Sequence, residues 1–123
     1  MIATLHHITQ DNLAKSHFEQ GLDFLKGGGR WIQVRSKTLP EDEIIKQALA
    51  LKEEAKAYGA QLILNDNWEL AQELKLDGVH VGLKDTPINL IREKVNSTNF
   101  IIGGTANTFE DIQNENNSYL KSY

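Results

Sequence analysis

Five short apolar segments alternate with helical patterns along this chain of 123 residues, and this alternation constrains the fold most strongly. The predicted strands are "IATLHHI", "RWIQVR", "QLIL", "GVHV" and "NFII". Apolar residues at helical spacing follow each of the first four, and Thr108 is predicted to cap a weaker fifth helix. Because parallel strands need a crossover connection, usually a helix, the pattern predicts an α/β protein with a parallel sheet.

The second helix has the clearest signals. Thr38 and Glu41 have the spacing of a capping box, and Gly59 is typical of a C-terminal stop. The apolar face between them consists of Ile44, Ile45, Ala48, Leu51 and Ala55. The "GGG" at 27–29 lacks the spacing of a dinucleotide-binding loop. It is therefore interpreted as a turn that stops the first helix.

Two architectures fit five strand–helix units. One is an open, doubly wound five-stranded sheet, and the other is a (β/α)₈ barrel of which the chain supplies about the first five units. Strand count favours the open sheet, since a complete barrel takes about 200 residues or more. The 40% of hydrophobic residues and 24% of charged residues suit one globular domain, so residues 1–123 are predicted to form a single domain.

Composition excludes several classes of function. The net charge is −4 and the 13 Lys and Arg residues are scattered, which argues against nucleic acid or an acidic membrane as a partner. The absence of cysteine excludes disulfides, thiolate metal sites and cysteine nucleophiles. No segment approaches the roughly 18 apolar residues of a membrane span, and the N-terminus lacks a signal-peptide pattern. We expect a cytoplasmic protein.

A row of polar residues marks the second strand. In an extended strand, Gln33, Arg35 and Lys37 lie on one face, with Ile32 and Val34 on the other. The row fits either the wet face of an edge strand or a buried face. Buried cations need an anion, and the planar fork of Arg with the point charge of Lys suits phosphate or pyrophosphate.

Further polar residues follow the other strands, at the edge where α/β proteins bind ligands. Taken singly, each is typical of a turn or a helix cap. Together with the cations they predict a magnesium-bound pyrophosphate, because Mg²⁺ takes one or two carboxylates and completes its shell with water and phosphate oxygens. These residues are Asn65, Asp66, Asp85 and Thr105, whereas His6, His7 and His17 are interpreted as structural and His80 stays ambiguous.

Four segments, "QVRSK", "LILND", "DGVHVGLKD" and "IIGGTANT", occur in this order and together resemble the thiamine-phosphate synthase family. The resemblance covers the whole chain but only about five of the eight units of that family's barrel, and it favours the barrel over the open sheet. It implies a Mg²⁺-dependent transferase of thiamine biosynthesis. Such an enzyme joins hydroxymethyl aminopyrimidine diphosphate to thiazole phosphate and releases thiamine phosphate and pyrophosphate.

The resemblance also implies a role for each matching residue. Arg35 and Lys37 would be catalytic, and Asp66 and Asp85 would bind Mg²⁺. The residues that would bind the pyrimidine diphosphate are Gln33, Arg35, Lys37, Asn65 and Thr105.

The chain departs from the family pattern at two places. Leu83 and Lys84 replace the usual Gln and acidic residue before Asp85. Asn107 replaces a common His, which makes a related branch, the thiazole tautomerases, a weaker alternative. A non-catalytic domain that binds a phosphorylated ligand, or an open five-stranded domain, is the other alternative.

The chain has no counterpart of the later loops of the family, which would bind thiazole phosphate. Five strands alone would leave two parallel edges and an uncovered polar interior. We therefore expect a fragment of a longer protein, or a partner that supplies the rest; the sequence leaves the oligomeric state open, a homo-oligomer included.

Overall fold

A computed structural model describes residues 5–82, 87–95 and 99–104. Across these residues, strands and helices alternate in the predicted order and form one sheet with the strand order β1-β2-β3-β4-β5. Each of the five predicted strands has a counterpart, but the first is confirmed only at His7–Ile8, since residues 5 and 6 are not in a strand and residues 2–4 lie outside the described residues. The helix expected from Thr108 also lies outside them. The elements are β1 (His7–Ile8), α1 (His17–Lys26), β2 (Trp31–Val34), α2 (Glu41–Tyr58), β3 (Gln61–Asn65), α3 (Trp68–Glu73), β4 (Gly78–Val81), α4 (Ile88–Lys94) and β5 (Ile101–Gly104).

The chain divides into two compact units, residues 1–63 and residues 64–123. In the first unit β1 and β2 are parallel, with His7 paired to Ile32 and Ile8 paired to Gln33, and α1 packs against α2. Its core takes apolar residues from the strands and from the inner helix faces, which is the pattern that a parallel sheet covered by helices requires. Fully buried members are Leu25, Ile32, Leu51, Leu62 and Ile63.

In the second unit β4 and β5 are parallel, and Gly78 pairs with Ile101 at the start of the register. Helix α3 packs against β4, and α4 packs against β5. Val79, Ile91 and Ile102 are completely buried and form the centre of this unit. In the part of the chain that the structure describes, no helix is long and apolar enough to cross a membrane.

The helix ends correct one prediction and confirm another. The predicted capping box at Thr38 and Glu41 is wrong: Pro40 occupies the N-cap of α2 and no side chain caps it. The Thr38 backbone N–H instead donates to Asp11. Gly59 ends α2 as predicted, with a left-handed φ of 70° that favours glycine.

A capping box does exist, at the start of α1. The Ser16 hydroxyl accepts the Glu19 N–H at 3.1 Å, and the Glu19 carboxylate accepts the Ser16 N–H at 3.0 Å. It was not predicted from the sequence, where the capping box was placed at Thr38 and Glu41 instead. These two bonds satisfy backbone donors that the helix itself cannot satisfy.

Replacing the two hydroxyl residues tests this reassignment. We expect Ser16→Ala to lower the free energy of unfolding by about 1 kcal/mol, because it removes an N-cap acceptor. Thr38→Ala is the matched control and should change it by less than about 0.5 kcal/mol, since Thr38 is exposed and only its backbone is bonded. Urea unfolding followed by circular dichroism measures both, and equal losses would contradict the assignment.

Gly78 offers a second test, because a methyl group there has no room. A Cβ at this position would lie 2.1 Å from the Ile101 carbonyl oxygen, which belongs to the paired strand. We expect Gly78→Ala to cost about 2 to 3 kcal/mol through overpacking. At Gly27 the nearest atoms would be at 3.5 and 3.6 Å, so Gly27→Ala should stay within about 0.5 kcal/mol of the parent. Thermal unfolding of the two variants should therefore differ clearly.

Candidate functional site

The polar row of the second strand is only partly a strand feature. β2 ends at Val34, and the chain bends at Lys37, so the expectation of an extended row through Lys37 is wrong. Gln33 is buried, Arg35 is half-buried and Lys37 is exposed. The two cations therefore lie in the segment that follows the strand.

The environment of β2 also decides between the two readings of its polar face. β2 lies between β1 and β3, and its four residues are all buried, so both of its faces are covered. Gln33 is 1% exposed. The alternative of a wet edge strand is therefore wrong for β2 itself.

The segment 35–39, which we call the β2–α2 loop, is held by side chains through its backbone N–H groups. Arg35 N–H donates to Thr9 Oγ1 at 3.2 Å. Lys37 N–H and Thr38 N–H both donate to Asp11 Oδ2, at 2.7 and 3.1 Å. Leu39 N–H donates to Ser36 Oγ at 3.0 Å, within the loop. Four of the five residues of the loop are thus fixed by side-chain acceptors.

Asp11 is the centre of this network. Its Oδ1 accepts from Ser36 Oγ at 2.6 Å and from His17 Nε2 at 2.8 Å. The pKa of the Asp11 carboxyl is held well below its usual range, first by the Ser36 hydroxyl and further by the backbone N–H of Lys37, although desolvation opposes them. The carboxylate is therefore the stable form in the folded protein.

His17 connects Asp11 to the strand beneath the loop. Its side chain is 4% exposed, and its Nδ1 lies 2.5 Å from Thr9 Oγ1. Because an ionised carboxylate only accepts hydrogen bonds, the Nε2 that faces Asp11 carries a proton. His17 was predicted to be structural, and its ring does link Asp11 to Thr9.

Thr9, Asp11 and Ser36 were not predicted from the sequence. Asp11 comes three residues after the end of β1, at the same edge of the sheet from which the other candidates were drawn. Applying the rule of carboxyl-terminal strand ends to the first strand would have found it. Its partners in the β2–α2 loop are 25 to 27 positions away, a separation for which the sequence carries no local signal.

The side chains of Arg35 and Lys37 take no part in the network. Lys15 forms an ion pair with Asp23, and His17 pairs with Asp11. No described carboxylate lies within ion-pair distance of Arg35 or Lys37. The carboxylates of the described residues therefore do not neutralise either cation.

Asn65 and Asp66 belong to the second unit. Asn65 is the half-buried last residue of β3, and Asp66 follows it as an exposed residue with φ of 70°. The Asp66 N–H donates to the His80 carbonyl of β4 at 2.7 Å, and the Trp68 N–H donates to the Asp66 carbonyl at 3.0 Å. A left-handed backbone is uncommon outside glycine but tolerated by Asp and Asn. It is held here by two backbone hydrogen bonds.

The helix after this turn is capped by Asn67 rather than by Asn65 or Asp66. Asn67 Oδ1 accepts the Leu70 N–H at 3.1 Å. Of the two structural interpretations of Asn65 and Asp66, the helix cap is therefore wrong and the turn is confirmed. His80, in the middle of β4, is half-buried.

Asp85 and Thr105 lie outside the described residues, as do Leu83, Lys84 and Asn107. The pairing of Asp66 with Asp85 at one metal therefore stays a prediction. Among residues 5–82, 87–95 and 99–104, no three His, Cys, Asp or Glu side chains are grouped as a metal site.

A family model and several curated relatives that match this chain carry the same description. A family model described as thiamine monophosphate synthase matches residues 5–122. Thiamine-phosphate synthase of Bacteroides thetaiotaomicron is 46% identical over 111 residues, which are 90% of this chain and 53% of that protein. Thiamine-phosphate synthase of Flavobacterium johnsoniae is 41% identical over 114 residues, or 93% of this chain and 53% of that protein.

A solved structure gives the same result for the fold. Thiamine phosphate pyrophosphorylase from Pyrococcus furiosus superposes with a TM-score of 0.81 at 26% identity, over 92% of this chain and 55% of that one. This match confirms the predicted fold class, the (β/α)₈-barrel type, for the region compared. The chain spans about half the length of the curated relatives that it matches. It belongs to the thiamine monophosphate synthase family.

Proposed function

We propose that the protein acts in thiamine biosynthesis as a transferase that joins hydroxymethyl aminopyrimidine diphosphate to thiazole phosphate, with release of pyrophosphate. Family membership and the names of the relatives support the reaction class. The observation that carries the proposal is the pair of cations on the β2–α2 loop. Arg35 and Lys37 are partly or fully exposed, lack a described carboxylate partner, and sit on backbone fixed by hydrogen bonds.

The proposed diphosphate-binding residues include both cationic and neutral side chains. Arg35 offers paired N–H donors that suit phosphate oxygens, and Lys37 offers a compact charge. Gln33, Asn65 and Thr105 would add neutral hydrogen bonds to the same pyrimidine diphosphate. The N–H groups of Lys37 and Thr38 are already bonded to Asp11, so in this loop the phosphate contacts come from side chains.

Asp66 and Asp85 are the proposed Mg²⁺ ligands. Asp66 fits this role because it is an exposed carboxylate at the end of β3 whose backbone is held in a defined turn. Mg²⁺ is commonly held by one or two carboxylates together with waters and phosphate oxygens. When bound, the ion would supply charge stabilisation to the diphosphate oxygens.

The catalytic role of Arg35 and Lys37 follows from the charge on the leaving group. As the bond between the pyrimidine methylene and the diphosphate breaks, negative charge grows on the departing oxygens. Cations that are already in place stabilise this charge more than that of the bound substrate, which lowers the barrier. No general base is needed for this step. The aminopyrimidine itself would stabilise the methylene cation until the thiazole nitrogen captures it.

A cytoplasmic location stays a prediction made from the sequence, which leaves the oligomeric state open, a homo-oligomer included.

Alanine variants of the two cations test the site. We expect Arg35→Ala and Lys37→Ala each to weaken the binding of pyrophosphate in the presence of Mg²⁺ by about 10- to 100-fold, because each removes a charged hydrogen-bond donor. Lys26→Ala is the matched control, since Lys26 is an exposed cation at the end of α1, and it should leave affinity within about twofold. Titration calorimetry measures the dissociation constants. Equal affinities for all four proteins would refute the assignment.

The metal assignment has its own test. Pyrophosphate affinity of the parent should rise with Mg²⁺, and Asp66→Asn should lose most of that rise, because an amide is a poorer ligand for a hard cation. Asp23→Asn is the control, as Asp23 is an exposed carboxylate that pairs with Lys15. A full Mg²⁺ response in Asp66→Asn would exclude this residue as a ligand.

Turnover is measured by pyrophosphate release from the pyrimidine diphosphate with thiazole phosphate present. Activity that requires both substrates and disappears in Arg35→Ala supports the transferase. Pyrophosphate binding without turnover would instead support the non-catalytic alternative.

A further inference from the structure

We infer that Asp11 is a positioning residue that fixes the β2–α2 loop and thereby holds Arg35 and Lys37 in place for a diphosphate. This inference deepens the proposed function and rests on it. Asp11 lies in the β1–α1 segment, has no contact with the cationic groups themselves among the described residues, and acts through the backbone of the loop.

Asp11 binds the backbone and the hydroxyl of the residues that carry or separate the two cations. It accepts the N–H of Lys37 itself and the N–H of the next residue, and it also accepts the hydroxyl of Ser36, which separates the two cations. Thr9, from the same β1–α1 segment, accepts the N–H of Arg35. The backbone of both cationic residues is thus tied to one neighbouring segment.

The Asp11 carboxylate is saturated with hydrogen-bond donors. An ionised carboxylate has about four lone-pair sites, and four donors reach Asp11: Ser36 Oγ, His17 Nε2 and two backbone N–H groups. A saturated carboxylate has no acceptor site left for Arg35 or Lys37. The negative charge therefore orders the loop without capturing the cations that the ligand needs.

A loop that is fixed in advance also lowers the entropy cost of binding. Long cationic side chains lose rotamer freedom when they bind an anion, and a mobile backbone beneath them would add to that loss. Fixing the loop before the ligand arrives removes the backbone part of the loss. Asp11 therefore raises affinity without touching the ligand.

His17 and Thr9 hold Asp11 in place through a chain of hydrogen bonds. The buried His17 ring bonds Asp11 on one side and Thr9 on the other, and the Thr9 N–H donates to the Gln33 carbonyl at 2.9 Å. These hydrogen bonds fix the position of Asp11 relative to β2, the strand that precedes the loop.

The test compares Asp11→Ala with Gln20→Ala. Gln20 is also buried in the first unit and makes three hydrogen bonds to the β1–α1 segment, to the N–H and carbonyl of Gln10 and to the carbonyl of Lys15, but none to the loop. Both variants should be less stable. Only Asp11→Ala should weaken Mg²⁺-dependent pyrophosphate binding, by about tenfold, when both are measured at a temperature where they are folded.

Amide hydrogen exchange supplies a readout that general destabilisation does not imitate. In Asp11→Ala, the exchange of the Lys37 and Thr38 N–H groups should accelerate by about tenfold or more relative to the amides of α2. In Gln20→Ala, the ratio should stay as in the parent. Unchanged protection of Lys37 and Thr38 in Asp11→Ala would overturn the inference whatever the affinity.

Ser36 keeps the inference testable if Asp11→Ala does not fold. Ser36→Ala removes one donor to Asp11 and the acceptor for the Leu39 N–H, whereas Ser36→Thr retains the hydroxyl. We expect Ser36→Ala to weaken pyrophosphate binding by about three- to tenfold and Ser36→Thr to restore most of it. Equal affinity in parent and Ser36→Ala would count against the inference.

The outcomes separate the two proposals. If the parent binds pyrophosphate and Arg35→Ala does not, while Asp11→Ala binds as the parent does, the proposed site stands and the positioning role fails. If the parent does not bind pyrophosphate with Mg²⁺, the proposed site and the positioning role both fail.

Discussion

The hydrogen bonding of one carboxylate, Asp11, determines the form of the candidate site in the first unit. It accepts two backbone N–H groups and one hydroxyl from the β2–α2 loop, and a buried histidine holds it on the other side. Hydrogen bonds to a charged acceptor are among the stronger polar interactions in proteins. They allow a short segment after β2 to have a defined conformation although Lys37 and Thr38 are exposed.

This arrangement separates two requirements that conflict within one strand. A central strand of a parallel sheet is covered on both faces, and β2 meets this by burying all four of its residues. Cations that bind a ligand must reach it, and buried unpaired cations are costly. Ending the strand at Val34 places Arg35 and Lys37 in the loop, where they are half-buried and exposed. The core and the candidate site thus lie next to each other in sequence without sharing residues beyond Gln33.

Several features could be predicted because their signals are local. The segments "QLIL" and "GVHV" are short apolar runs, and they form β3 and β4 with almost the predicted bounds. Gly59 stops α2 because few other residues accept a left-handed backbone. The Thr38 cap failed because its local signal competed with a tertiary one. The Thr38 N–H is bonded to Asp11, and α2 begins only after Pro40.

By itself, the sequence determined the alternation of strands and helices, the chemistry available at the strand ends, and the resemblance to a family through four ordered segments. Apolar periodicity and glycine preferences depend on residues within a few positions of each other, so they can be read along the chain. Only the tertiary structure decided that Lys37 leaves the strand and that Asp11, His17 and Thr9 hold the loop beneath it. Those contacts join residues up to 27 positions apart, and they exist because parallel pairing of β1 and β2 brings their carboxyl ends together.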